Sequence, residues 1–178
     1  DKSSLIKEAI RLITNIRPSV FVWENVKGAF SSNSGEDFTA ILQAFANIGG
    51  YRLEWQLLNT SWVLPQNRER IYLVGHLAER SECGVFPIGE IGANSHKKTR
   101  NIYNHSQTIL RGYRASSSIG SFIKREDGKI RYLTEIECER LQGFPDNWTK
   151  WGCYNGETKE ITKTNRYKLI GNAVTVDI

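Results

Sequence analysis

The chain has 178 residues, 39% of them hydrophobic and 24% charged, with a net charge of +5. That balance is ordinary for a soluble globular chain of one domain, or of one domain with a small appendage. No apolar stretch approaches the roughly 20 residues of a membrane span, and no signal-peptide pattern opens the chain, so we expect no membrane partner and a cytoplasmic or nucleoid-associated location. Cys83, Cys138 and Cys153 are too scattered for a disulfide framework and form no CxxC pair, and no metal site is expected. The chain begins at Asp1 and contains no methionine, which leads us to expect a piece of a longer protein.

In chain order, Leu5, Ile6, Ala9, Ile10 and Ile13 line one helical face, with Ser3 or Ser4 as the cap. Pro18 ends this helix by disfavouring helical backbone at Arg17. The continuous apolar run Val20-Phe21-Val22-Trp23 predicts a strand buried on both faces, as in a parallel sheet, ending at Glu24. Phe38, Ile41, Leu42 and Phe45 predict a second helix, closed by Gly49-Gly50. Tyr51, Leu53, Trp55 and Leu57 alternate with Arg52, Glu54 and Gln56, as in a half-buried strand, and Ile71 to Val74 predicts another, ended by Gly75. This order predicts an α/β sheet with an irregular end.

From His76 to about Ile130 the periodicity fades into glycine, serine, asparagine and basic residues with frequent aromatics, which we read as a loop-rich, mainly β insert. No acidic residue occurs between Glu90 and Glu126, a stretch that carries Lys97, Lys98, Arg100, Arg111, Arg114, Lys124 and Arg125 with His96 and His105. Such a one-signed run is an electrostatic footprint for phosphates, and equally the pattern of a solvated basic loop. Order returns with Thr134 and Glu137, a capping box for a short helix ending near Leu141, stopped by Gly143 and Pro145. Between Trp148 and Tyr167 only a polar loop is legible, with Trp148, Trp151 and Tyr154 expected to cover a hinge rather than to touch a ligand.

A carboxylate at the carboxyl end of a buried parallel strand lies on the rim where open α/β sheets bind ligands, which singles out Glu24; capping of the following turn is the alternative. Arg68 and Arg70 stand two apart on an expected strand and so point the same way, as ligands or as surface ion-pair partners.

Taken together, VWENVKG, VLPQNRERIYLVG, RYLTEIECERLQGFPDNW and YKLIGNAVTV resemble, in order, the sixth, eighth, ninth and tenth conserved motifs of the DNA cytosine-5 methyltransferase family. The resemblance runs from about Lys2 to Val176. It implies part of a Rossmann-like, S-adenosyl-L-methionine-dependent methyltransferase sheet over 1–76. It further implies a small, mainly β target-recognition domain over 77–130 and a return segment over 131–178.

The family flips cytosine out of duplex DNA. A cysteine thiolate adds to C6, C5 takes the methyl group, and a base removes the C5 proton. By resemblance Glu24 donates a proton or hydrogen bond at N3, which requires burial to raise its pKa. Arg70 donates to O2 of the base, and Arg68 supports the local backbone and the cysteine loop. Asn25 holds the turn. Asn172, Ala173 and Val174 match the segment beside the methionine end of the cofactor.

The resemblance places DNA-reading loops at about Gly92–Tyr103 and Ser106–Arg114. Gly92, Asn94 and Ser95 would allow close backbone approach to the groove, and Arg100 and Arg111 are candidates for bidentate guanine contacts. Lys97, Lys98 and Arg114 would meet phosphates, as would Lys124 and Arg125. Thr108 would support the flipped nucleotide's backbone, and Tyr113 would stack, touch phosphate or pack within the insert. Two family features are missing from the sequence: the Phe-x-Gly-x-Gly stretch of the cofactor site and the Pro-Cys pair of the nucleophile. The expected partners are therefore duplex DNA and a front-half segment or subunit carrying the cysteine. Two alternatives stay open: a catalytically silent DNA-binding subunit, and a fragment of a tRNA cytosine-5 methyltransferase.

Overall fold

The computed structural model describes residues 2–78, 84–88, 106–107, 122–124 and 127–176. Its elements are α1 (Lys2–Ile16), β1 (Val20–Val26), α2 (Gly28–Ser31), α3 (Glu36–Ala46), β2 (Tyr51–Asn59), β3 (Gln66–Asn67) and β4 (Glu69–Leu77). They continue with β5 (Ser106–Gln107), β6 (Phe122–Lys124), β7 (Ile130–Tyr132), α4 (Glu135–Arg140), β8 (Trp151–Tyr154), β9 (Glu157–Glu160) and α5 (Lys163–Asn172). The fold is mixed α/β. The chain divides into two compact units: residues 1–58 with 69–97, and residues 59–68 with 98–178.

The first unit is built on a three-stranded sheet in the order β1-β4-β2. Phe21, Phe45 and Leu73 form its core, joined by Ile6, Ile10 and Ile13 of α1 and Ile41 and Leu42 of α3. The apolar face of α1 centres on those three isoleucines, so Leu5, one residue off that line, is 74% exposed rather than buried. The helix starts at Lys2, leaving both serines inside its first turn, and ends as expected before Pro18, with Arg17 at φ 51°.

Three expectations about the sheet need correction. Among the described residues β1 pairs antiparallel with β4 alone, at the edge of the sheet, and its faces differ. Phe21 and Trp23 join the core while Val22 is 65% exposed. Glu24 does not end the strand, which continues to Val26, and it lies opposite Tyr72. Gly75 does not end β4 either. The ring of Phe21, its cross-strand partner, covers it so closely that a Cβ there would fall 2.1 Å from Cε1. Glycine is required by that approach, and the strand runs on through buried His76 and Leu77.

In the second unit Leu133, Cys138, Tyr167 and Ile170 form the core, with Ile123, Tyr132 and Leu141 against it. The expected capping box is present: Glu137 N–H donates to Thr134 Oγ1 and Thr134 N–H to Glu137 Oε2. The segment read as a polar loop is ordered. β8 and β9 form an antiparallel hairpin turned by Asn155 (φ 52°) and Gly156 (φ 82°), with α5 next in the chain. Trp148, Trp151 and Tyr154 are 63%, 56% and 73% exposed; Trp148 stacks on Phe144 with ring centroids 6.1 Å apart, and Lys150 Nζ lies over the Trp151 ring. Most of the insert lies outside the described residues. Of its described strands, β5 pairs with β3 and β6 with β7.

Candidate active site

In the first unit the antiparallel register brings together two side chains that are 46 residues apart in sequence. Glu24 lies opposite Tyr72 and Arg70 opposite Val26, so Glu24 and Arg70 are diagonal neighbours on one face of the sheet. Arg70 Nε reaches Glu24 Oε1 at 3.0 Å, and its Nη1 donates to the Glu69 carbonyl at 2.8 Å. The backbone contact fixes the guanidinium plane, and the carboxylate caps its other edge. The arginine side chain is 12% exposed and the glutamate 27%, so the pair is shielded but not sealed. Asn25 turns its Oδ1 back onto the Val26 N–H at 2.8 Å, a local backbone contact.

Arg68 does something else. The reading that it points with Arg70 assumed one continuous strand, yet the ladder breaks at Arg68, between β3 and β4. Arg68 belongs to the second unit, is 3% exposed, and donates from Nη2 to the Ala173 carbonyl at 2.7 Å. Its N–H donates to Asn59 Oδ1 and its carbonyl accepts the Thr60 N–H. Thr60 and Thr175 are joined hydroxyl to hydroxyl at 2.9 Å, and both are buried. The QNRER block and the GNAVTV block, about a hundred residues apart, are thus tied by one charge-assisted bond, and the hydroxyl pair ties the GNAVTV block to the turn that precedes QNRER. Asn172, at the end of α5, lines an open groove of about 590 Å³ together with Tyr154, Ile161 and Leu169. Val174 is exposed and Ala173 is partly buried.

The proposed DNA contacts Gly92, Asn94, Ser95, Lys97, Lys98, Arg100, Thr108, Arg111, Tyr113 and Arg114 lie outside the described residues, as does Arg125.

Cys138 is fully buried, and burial with the neighbouring Glu137, Glu135 and Glu139 pushes its thiol up to about 12. A thiol held protonated in a core is no nucleophile. Cys153 is a free thiol on the exposed hairpin. Among the described residues, no cluster of three metal-ligating side chains is present.

Sequence reading passed over two sets of residues. Gln66 is fully buried, and neither amide atom has a hydrogen-bond partner among the described residues. Glu139, also fully buried, accepts from the Thr149 N–H and hydroxyl, the Asn147 N–H and Arg166 Nη2 at 2.9 Å. Burial acts to raise the Glu139 carboxyl, but these donors outweigh it and hold it below the usual carboxylate range. Neither set carries a periodicity signal, since a polar residue at a core position looks like a surface residue in sequence.

Solved structures define the class. The chain superposes on the Dnmt2 methyltransferase of S. pombe with a TM-score of 0.61 at 21% identity, covering 94% of this chain and 68% of that one. The Entamoeba histolytica methyltransferase EhMeth gives 0.59 at 18%, covering 89% and 59%. The fold is that of these methyltransferases. The family of C-5 cytosine-specific DNA methylases matches residues 1–113 and 87–178, and the chain belongs to that family. It is 23% identical to the type II methyltransferase M.BsuFI of Bacillus subtilis, over 99% of this chain and 49% of that protein. Against M.BspRI of Lysinibacillus sphaericus it is 28% identical, over 99% and 52%. The chain spans about half the length of these curated relatives.

Proposed function

We propose that the chain is the carboxyl-terminal part of a DNA cytosine-5 methyltransferase of the type II, restriction-modification kind. It would transfer a methyl group from S-adenosyl-L-methionine to C5 of a cytosine flipped from duplex DNA. The observation that carries this reading is the Glu24–Arg70 pair, fixed at 3.0 Å by strand register and partly exposed. The guanidinium donates to O2 of the base, and the glutamate supplies a proton or hydrogen bond at N3, where charge develops once a thiolate has added to C6. Arg68 holds the Asn172–Val174 segment in place through the Ala173 carbonyl.

The residues present fit one wall of a cofactor site: an exposed asparagine amide suits an amino-acid moiety, and apolar Leu169 and Val174 suit the methylene groups beside its sulfonium. When bound, S-adenosyl-L-methionine supplies the electrophilic methyl group. The rest of that site and the cysteine nucleophile come from outside these 178 residues, on a front-half segment or subunit. Residues 77–130 form the target-recognition domain, and 131–178 return to the catalytic part.

Complementation tests the reading. A front half bearing the cysteine, incubated with labelled S-adenosyl-L-methionine and duplex DNA, should gain methyl transfer when this chain is added. No gain, with DNA binding intact, would favour a silent recognition subunit, and a preference for tRNA over duplex DNA would move the substrate assignment. If the basic run neutralises about five phosphates, log affinity should fall against log salt with a slope of about −4 to −5. A slope near zero would contradict the phosphate contacts.

A further inference from the structure

The first unit carries a second arrangement of polar side chains, one that acts on the backbone. Glu54 and Gln56 stand two apart on β2, so they leave the strand on the same side. Both reach the segment 84–88. The Glu54 carboxylate accepts the Val85 N–H at 2.7 Å and the Phe86 N–H at 3.3 Å. Gln56 exchanges two bonds with Ile88: Nε2 donates to the carbonyl at 2.9 Å, and the Ile88 N–H donates to Oε1 at 2.7 Å.

The other side of the carboxylate is fixed by His76 of β4, 2% exposed, whose Nε2 lies 2.5 Å from Glu54 Oε1. Gly84 packs directly beneath it, where a Cβ would lie 3.2 Å from Glu54 Oε2. Burial acts to raise the Glu54 carboxyl, but the Val85 N–H, His76 and the Phe86 N–H together hold it below the usual range. Segment 84–88 is therefore bound to the strand by side chains. Four bonds to backbone atoms within five residues exceed what a surface loop needs for burial, because Val85 and Ile88 are themselves exposed.

The clamped segment leads, a few residues on, into the run from 91 to 125 that contains no acidic residue. We propose that Glu54 and Gln56 are positioning residues. By clamping 84–88 they fix where the chain leaves the sheet that holds Glu24 and Arg70, and so the register in which the basic run meets its target sequence. This rests on reading that run as the DNA-recognition segment.

The test combines one readout that depends on DNA and one that does not. In the 178-residue chain, Glu54→Ala and Gln56→Ala should speed amide hydrogen exchange at Val85, Phe86 and Ile88 by about tenfold or more, with β1–β4 ladder amides such as Phe21 and Leu73 unchanged. In selection from a random duplex library, preference for the winning site over the bulk should fall by about tenfold, while affinity for bulk duplex changes by less than about threefold. Glu54→Gln, which keeps an acceptor oxygen, should recover part of both effects. Unchanged exchange would overturn the clamp. Faster exchange with unchanged site preference would make it a structural tie only and overturn the positioning role. A wild-type chain that selects no site, with the exchange effect present, would instead locate the failure in the DNA reading and withdraw the proposal with it.

Discussion

Two glutamate–arginine pairs of nearly equal length occupy opposite environments in this protein. Glu24–Arg70 spans 3.0 Å with side chains 27% and 12% exposed, whereas Glu139–Arg166 spans 2.9 Å at 0% and 9%. The second pair is saturated. Glu139 takes four donors, and Arg166 Nε also reaches the Thr149 hydroxyl, so the pair knits α4, the Asn147–Thr149 turn and α5 together. Among the described residues, the first pair is anchored on one carbonyl, and it stays partly exposed. A charge pair that satisfies itself inside a core resists change but offers nothing to a ligand. One that stays partly exposed, with few partners among the described residues, keeps donors and acceptors for a base. Distance alone does not separate structure from chemistry here; saturation and access do.

The comparison breaks most visibly at the buried pair. Glu139→Ala leaves Arg166 buried without its partner, and such losses cost about 3–5 kcal/mol. Urea unfolding monitored in the second unit should show a correspondingly lower midpoint, and a shift under about 1 kcal/mol would refute the saturated network. At the open pair the effect moves from stability to rate. Arg70→Ala should slow methyl transfer in the complemented enzyme by at least about tenfold, near 1.4 kcal/mol of activation free energy, at a stability cost under about 1 kcal/mol.

The smallest effect falls on the helix that carries Glu139. Thr134→Ala removes the cap and should cost about 1 kcal/mol. Glu137 sharpens this with pH. The Arg131 side chain first, then the Thr134 N–H and hydroxyl, overcome the effect of burial and lower its carboxyl from 4.5 to about 2 in the folded chain. A carboxyl depressed on folding contributes stability that is complete above its unfolded value and is lost as pH falls through the folded one. The stability gap between wild type and Glu137→Gln should therefore be full above about pH 4.5 and close as pH approaches 2. A gap that does not change with pH would show that the carboxylate charge contributes nothing.

What the sequence disclosed tracks the range of the interactions involved. The Thr134–Glu137 box was legible because a cap is made within four residues. The family blocks were legible because their order is itself a pattern. Gly75 was misread as a strand end because its reason, the Phe21 ring, lies 54 residues away on another strand. That Arg68 and Arg70 have separate partners, the Ala173 carbonyl and Glu24, could not be read, because a one-residue break in the ladder leaves no mark in sequence. The β8–β9 hairpin did carry a signal, Asn155-Gly156, the type of turn whose residues both need positive φ, and that signal was passed over. α5 was hidden for another reason: Arg166, counted as polar, is part of its buried face with Tyr167 and Ile170. Of the candidate site, Glu24 and Arg70 were named from the sequence, but only strand register shows that they meet.

The most direct test of the open-pair account is Glu24→Gln in the complemented enzyme, with single-turnover methyl transfer and urea midpoint measured on the same preparation. Glutamine can still donate a hydrogen bond but cannot deliver a proton. The account predicts a rate lower by at least about tenfold with the midpoint shifted by less than about 1 kcal/mol of stability. A retained rate, or a rate that falls only in step with the midpoint, would contradict a chemical role for Glu24 and reduce the pair to a second structural tie.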